Sequence, residues 1–477
     1  MKKVFLFLLL AILIGQQFTM VTGCANIIPP AGGPKDTIPP VLIKSTPPDS
    51  SKNFHGNHIT MVFDEFIDVQ SPRENLIVSP VYKNFPDVTY KLNTLSVKLR
   101  DSLEPNTTYT LNFGKAVRDI NEGNILKDFT YIFSTGNSFD SLELKGKVIL
   151  AEDGKIDSTL TVALYRNGAD TAVMKERPRY IARLDGKGNF IFKNLPAGNF
   201  YLYAFKDAGG SLRFTDTTQL FAFLGEPVVT GKENEPFTLY AFASKKAAAT
   251  STVAGAGGLT MKKNAGGKAD QRLRFQSNLE NNKMDLLQPL TLTFDVPLRS
   301  YDSSKISFST DSAFITVNDY TLIKDSTDKK LELDYSWKQN TLYHLILDKD
   351  FAEDTTGKKL LKTDTLSFTT KRLEDYGKLS IRFKNLDLSK NPVLLFVQSD
   401  AIKGSYPLSS PEFSKNLFIP GEYELRILDD TNKNGKWDPG EFFGKHLQPE
   451  IVRPLSRKIT VKRDFENEFD IDASSTQ

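Results

Sequence analysis

The chain has 477 residues, of which 39% are hydrophobic and 11% aromatic, and its 61 Lys and Arg against 58 Asp and Glu leave a net charge of +3. That length predicts roughly three to five domains rather than one, with ample apolar material for several cores. The near-balanced charge gives no basis for a nucleic-acid partner, and four histidines leave little material for an imidazole-based metal or acid–base site.

The chain opens with Met1-Lys2-Lys3, followed by an apolar run from Val4 to Ile14. The run has signal-peptide length and is too short to span a bilayer as a finished helix. Small residues close it at Val21-Thr22-Gly23-Cys24, and Cys24 is the one cysteine of the sequence. A lone cysteine in an exported chain cannot form an intramolecular disulfide, so a covalent use accounts for it economically. The segment resembles the lipobox of bacterial lipoproteins. The resemblance implies a signal peptide over 1–23 and covalent lipid on Cys24, with two or more acyl chains for stable anchoring. An ordinary secretory signal with an incidental cysteine, or an uncleaved anchor, is the competing reading. Residues 24–37 then form a lipidated, Pro/Gly-rich tether, whose prolines favour extended backbone.

Strand patterns follow. His58-Ile-Thr-Met-Val-Phe, Leu95-Ser-Val-Lys-Leu, Thr108-Tyr-Thr-Leu-Asn-Phe and Phe129-Thr-Tyr-Ile-Phe-Ser-Thr alternate as half-buried strands do, with turn residues between them. Short strands at this spacing argue for a β-sandwich over 38–136. These stretches resemble the bacterial immunoglobulin-like domain of S-layer and other surface proteins. Next, Leu142-Glu-Leu-Lys-Gly-Lys-Val-Ile-Leu begins a strand pattern that Gly186 to Phe205 continues, with a Leu195-Pro-Ala-Gly turn leading into an alternating, aromatic-rich strand. This pattern is similar to the transthyretin-like sandwich of carboxypeptidase regulatory domains, placed at 140–243.

Residues 244–270 are rich in Ala, Gly, Ser, Thr and Lys and lack the side chains that define a core, which predicts a flexible linker or a looped-out insertion. The first plan then recurs. Leu290-Thr-Leu-Thr-Phe-Asp matches Ile59-Thr-Met-Val-Phe-Asp, Asn340-Thr-Leu-Tyr matches Asn106-Thr-Thr-Tyr, and Asp364-Thr-Leu-Ser-Phe-Thr-Thr resembles Asp128 to Thr135. A second immunoglobulin-like copy is placed at 271–371 and a second transthyretin-like copy at 376–477. The expected fold class is therefore all-β, a tandem array of four β-sandwiches of alternating kind, of the sort found in lipoproteins of Bacteroidetes. Cleavage of the linker is expected to release two stable halves.

One motif carries chemistry. Asp430-Thr-Asn-Lys-Asn-Gly-Lys-Trp-Asp-Pro-Gly-Glu441 places Asp430, Asn432, Asn434, Asp438 and Glu441 at the oxygen positions of an EF-hand-type loop. Gly435 stands at the sharp turn, and the Lys436 backbone carbonyl supplies position 7. A hard cation needs six to eight oxygens from a tightly wrapped segment, so one structural Ca2+ is expected here, in a loop joining strands. The competing reading is a polar hairpin turn capped by Asp430. The first copy keeps Asp207 at the matching start but has glycine and serine in place of the asparagines.

No nucleotide, zinc-hydrolase or serine-hydrolase motif is present, and His55 and His58 lack a third ligand. The expected function is a non-enzymatic, membrane-anchored lipoprotein acting as a structural or protein-interaction scaffold of the cell envelope. A carbohydrate-binding envelope lipoprotein, or an accessory subunit of an outer-membrane complex, is the alternative. The expected location is the outer membrane, with the periplasmic face favoured over the cell surface. Expected partners are the membrane through the lipid and an envelope protein, with a glycan as a further candidate and no nucleic acid.

Overall fold

The computed structural model describes residues 35–207, 209–232, 236–244 and 272–474. Cys24, the signal segment, most of the tether and most of the linker expected at 244–270 lie outside the described residues. The fold is an all-β tandem array of sandwich-like units. Among the described residues the α-helices are single turns, Pro72–Asn75 and Ala172–Lys175, and none is long and apolar enough to cross a membrane.

In the first unit Leu42–Thr46, His58–Phe63, Thr94–Lys98 and Asp87–Lys91 pair in that order. The second sheet is Ile77–Ser79, Thr108–Asn112 and Thr130–Ser134. The alternation read from the sequence is the alternation of burial: Ile59, Met61 and Phe63 are inside, facing Tyr109, Leu111 and Phe133 in one core. A short ribbon, Ile67–Val69 with Val117–Asp119, closes one end.

The same topology returns later. Phe275–Ser277, Leu290–Phe294, Lys330–Asp334 and Thr321–Lys324 repeat the first sheet. Ile306–Thr310, Leu342–Leu347 and Asp364–Thr370 repeat the second, and Leu298–Tyr301 with Ala352–Asp354 repeats the ribbon. One repeated detail is absent from the strand patterns. Each ribbon ends on a buried aspartate, Asp119 or Asp354, whose carboxylate accepts several amides of the following turn. Burial opposes ionisation of both, but the converging amides outweigh it and hold both pKa values below the ordinary aspartate range.

The remaining segments also repeat one plan. Leu142–Leu150 pairs antiparallel with Asn189–Leu195 and parallel with Phe237–Ala241. Gly377–Lys384 pairs antiparallel with Glu412–Phe418 and parallel with Glu466–Asp472. The opposing sheets run Tyr180–Arg183, Thr161–Tyr165, Gly198–Phe205, Phe221–Phe223 and Ala401–Pro407, Pro392–Gln398, Gly421–Asp429, Ile451–Val461. The Leu-Pro-Ala-Gly turn separates two strands that belong to different sheets, Asn189–Leu195 and Gly198–Phe205. Pro196 and Ala197 stand at the break, because proline cannot donate to a ladder.

The expectation of two freestanding halves is corrected. The last segment packs directly on the first of its kind, and a single aromatic cluster draws on both: Tyr165, Tyr203, Phe214, Phe221, Phe223 and Phe242 from one, Phe442 from the other. The Val452 amide donates to the Ala151 carbonyl at 2.8 Å, and Lys155 pairs with Asp400. At Gly154, with φ +73°, an added Cβ would lie 2.3 Å from Pro454 Cδ, so the two backbones meet there with no room for a side chain.

Candidate functional site: an oxygen-rich loop at an internal interface

The loop after Gly421–Asp429 begins with Asp430, which is 2% exposed. Its Oδ1 accepts the Asn434 amide at 3.2 Å and its Oδ2 the Gly435 amide at 2.7 Å, wrapping the chain about one carboxylate. Positive φ at Lys433 (62°) and Gly435 (75°) makes the turn. Asn432 Nδ2 and Asn434 Nδ2 each donate to Asp438 Oδ2 at 2.6 Å. The structure thus brings Asp430, Asn432, Asn434 and Asp438 together. Lys436 is exposed, and its amide donates to Asn434 Oδ1 at 2.7 Å.

Glu441 stands apart from this group. Its Oε2 pairs with Lys445 Nζ at 2.7 Å, and its backbone exchanges two hydrogen bonds with Leu447. Among the described residues no group of three or more His, Cys, Asp or Glu side chains forms a metal-binding cluster. The oxygen set on the loop is two carboxylates and two amides, and Glu441 is held outside it by Lys445 and Leu447.

Glu450 is the residue that the spacing did not reveal. It is 8% exposed, and its two oxygens accept the amides of Thr431 and Asp438 at 2.8 and 3.0 Å, clamping the two ends of the loop. Trp437 packs over Val393, Leu395 and Val397, and its Nε1 donates to the Glu450 carbonyl at 2.7 Å. A loop-position rule has no place for a carboxylate twenty residues on. His55 and His58 are exposed.

Beyond the oxygen cluster the loop turns into the interface. Phe442, 4% exposed, lies 4.9 Å from Phe221, 5.0 Å from Phe223 and 5.6 Å from Tyr203, centroid to centroid. Phe443 stacks on Phe214 at 6.1 Å and 13°. His446 lies parallel to the Phe442 ring, and its Nε2 is 2.7 Å from Asp170 Oδ1, while the Gly444 amide donates to Asp170 Oδ2. Burial works against the Asp170 carboxylate, but the hydrogen bonds from His446 and Gly444 outweigh it and hold its pKa below the ordinary value. Gln448 Nε2 caps the Phe223 carbonyl at 3.1 Å.

Residues 36–135 match the family described as bacterial Ig-like domain, which supports the resemblance read in the first unit. No curated protein matches the chain. Solved structures similar to it include the N-terminal part of the bacterial S-layer protein SbsC, at 17% identity over 43% of this chain and 44% of that one, with a TM-score of 0.16. BcpA, the major pilin subunit of Bacillus cereus, is 9% identical over 70% of this chain and all of its own, with a TM-score of 0.16. The Bacillus anthracis TIE protein is 11% identical over 93% and 76%, with a TM-score of 0.17. The chain spans less than half of the first of these. Identity and superposition are both low. The family match places a bacterial Ig-like domain at the start of an all-β tandem array.

Proposed function

We propose that this chain is a non-enzymatic scaffold of the bacterial cell envelope. In this reading lipid on Cys24 holds it at the outer membrane, facing the periplasm, and its sandwich units are docked together as a platform for an envelope protein. The observation that carries the reading is the internal docking. Residues 377–473 place Phe442, Phe443 and His446 on the aromatic face of 142–241, which gives the array a fixed internal geometry suited to presenting a surface. The alternating sandwiches are read as immunoglobulin-like and transthyretin-like, as their repeated topologies suggest. Cys24→Ser should abolish lipid labelling and release the protein from the membrane fraction, and unchanged detergent-phase partition would defeat the anchor. Crosslinking in intact cells should recover the chain joined to an envelope protein, and recovery of uncrosslinked monomer alone would defeat the scaffold. Protease added to intact cells should leave it intact, whereas cleavage would move it to the cell surface.

The loop has a structural role within this reading. Asp430, Asn432, Asn434 and Asp438 already converge, so they fit a hard cation with the Lys436 carbonyl; Glu441 would complete the shell by exchanging Lys445 for the ion. Bound Ca2+ would stiffen the base of the arm that carries Phe442. Added Ca2+ should raise the melting temperature through linkage, Glu441→Gln should reduce that rise, and Asp207→Asn should leave it unchanged. A melting temperature insensitive to Ca2+ would reduce the loop to a capped turn.

A further inference from the structure

A cleft of about 650 Å3 lies where the first two units meet, away from the oxygen-rich loop. Val81, Tyr82 and Lys83 line it from one side, and Arg166, Arg177 and Arg213 are among the residues that line it from the other. In a chain whose charges nearly cancel, this lining holds five cations and one acid. The acid, Glu176, is engaged by Asn167 Nδ2 at 2.6 Å. Of the cations, Arg179 is neutralised by a two-pronged pair with Glu104.

The other arginines keep their charge. Arg177 Nη1 donates to the carbonyls of Tyr82 and Lys83 at 3.2 and 2.8 Å, which fixes the guanidinium group without supplying a counter-ion. Arg166 and Arg213 are exposed and form no ion pair among the described residues. Tyr82 is 8% exposed, and its hydroxyl has no hydrogen-bond partner among the described residues. Burial pushes its pKa up, so the group stays a neutral donor.

We propose that this cleft binds a polyanionic saccharide, one bearing carboxylate or phosphate groups, through Arg166, Arg177 and Arg213. Guanidinium groups match both oxyanions with paired N–H donors. The floor tyrosines are buried, Tyr165 to 1% and Tyr82 to 8%, so no aromatic face is offered for stacking a neutral sugar, and ligand contact falls on the arginines. A peptide joining by strand addition finds no edge here. The Val81 amide already donates to the Arg179 carbonyl at 2.9 Å, and the Arg179 amide to the Leu164 carbonyl at 2.7 Å. The cleft volume is within the range of small-ligand sites.

The test is titration of the full-length protein with oligogalacturonate, phosphomannan, neutral dextran and poly-glutamate at low and high salt. At least one of the two acidic saccharides should bind at low salt and weaken as salt rises, and which one binds identifies the oxyanion. Arg166→Ala with Arg213→Ala should weaken that binding by about tenfold or more at an unchanged melting temperature, since each removes a charge-assisted contact. Arg177→Gln should weaken it independently. Absence of binding by both acidic saccharides, binding undiminished in the double variant, or equal binding of poly-glutamate would overturn the proposal. None of these readouts depends on Cys24 or on an envelope partner, so the scaffold reading stands or falls separately.

Discussion

The loops that begin at Asp207 and Asp430 occupy equivalent places, each following an interior strand of its second sheet, Gly198–Phe205 or Gly421–Asp429, and they start identically. Asp207 accepts the amides of Ser211 and Leu212, four and five residues on, as Asp430 accepts those of Asn434 and Gly435. They then part. The first loop is closed by Phe214, which stacks at 4.4 Å on Phe221 of its own sheet. The second adds the Asn432, Asn434 and Asp438 cluster and extends to Phe442 and Phe443, which settle on Phe221 and Phe214 of the first. One carboxylate-wrapped turn has thus served two ends. In one copy it closes a sheet, and in the other it is the base of an arm that covers what the first copy leaves open.

If the arm holds the two units together, its aromatic tip should carry the largest effect. Phe442→Ala removes a ring buried against Tyr203, Phe221 and Phe223 of the facing unit and should cost about 3–5 kcal/mol. With a protease site introduced within 245–271, the wild-type fragments should co-elute after cleavage and the variant fragments should separate; co-elution of both would assign the docking to other contacts. Gly154→Ala should cost less, about 1–3 kcal/mol, because the Cβ must displace Pro454 at a positive φ. Chemical denaturation that shows no change would mean the two backbones can part without penalty. Asp170→Asn should give the smallest effect. The Asp170 pKa is depressed in the folded state, so its contribution is complete above the ordinary aspartate value and is lost as pH falls through the lower folded value. The variant should flatten the acid limb of the stability curve, and an unchanged limb would place the acid sensitivity elsewhere, at Asp119 and Asp354 among others.

The sandwich strands were legible because one face of each is wet. Ile59, Met61 and Phe63 alternate with partly exposed or exposed neighbours, as do Leu379, Ile381 and Phe383. The docking was hidden in strands that break this rule. Thr161–Tyr165, Phe221–Phe223 and Pro392–Gln398 are buried on both faces, and their near-continuous apolar runs were the available sign of a sheet covered twice. Phe442 and Phe443 read locally as the end of a polar loop, because their partners lie more than two hundred residues earlier in the chain. The loop cluster was legible by spacing as far as Asp438. Glu441 departs from it because its backbone pairs with Leu447 to aim the arm, and Glu450 enters from a segment that the spacing does not reach.

The contact of Ala151 and Gly154 with Val452 and Pro454 has a mechanical consequence. It joins positions some three hundred residues apart, so tension applied between the first unit and the last strand passes directly from one docked unit to the other. The intervening sandwich-like unit, which repeats the topology of the first, lies outside that path. Such a repeat would remain folded and able to present its loops while the rest of the array bears load.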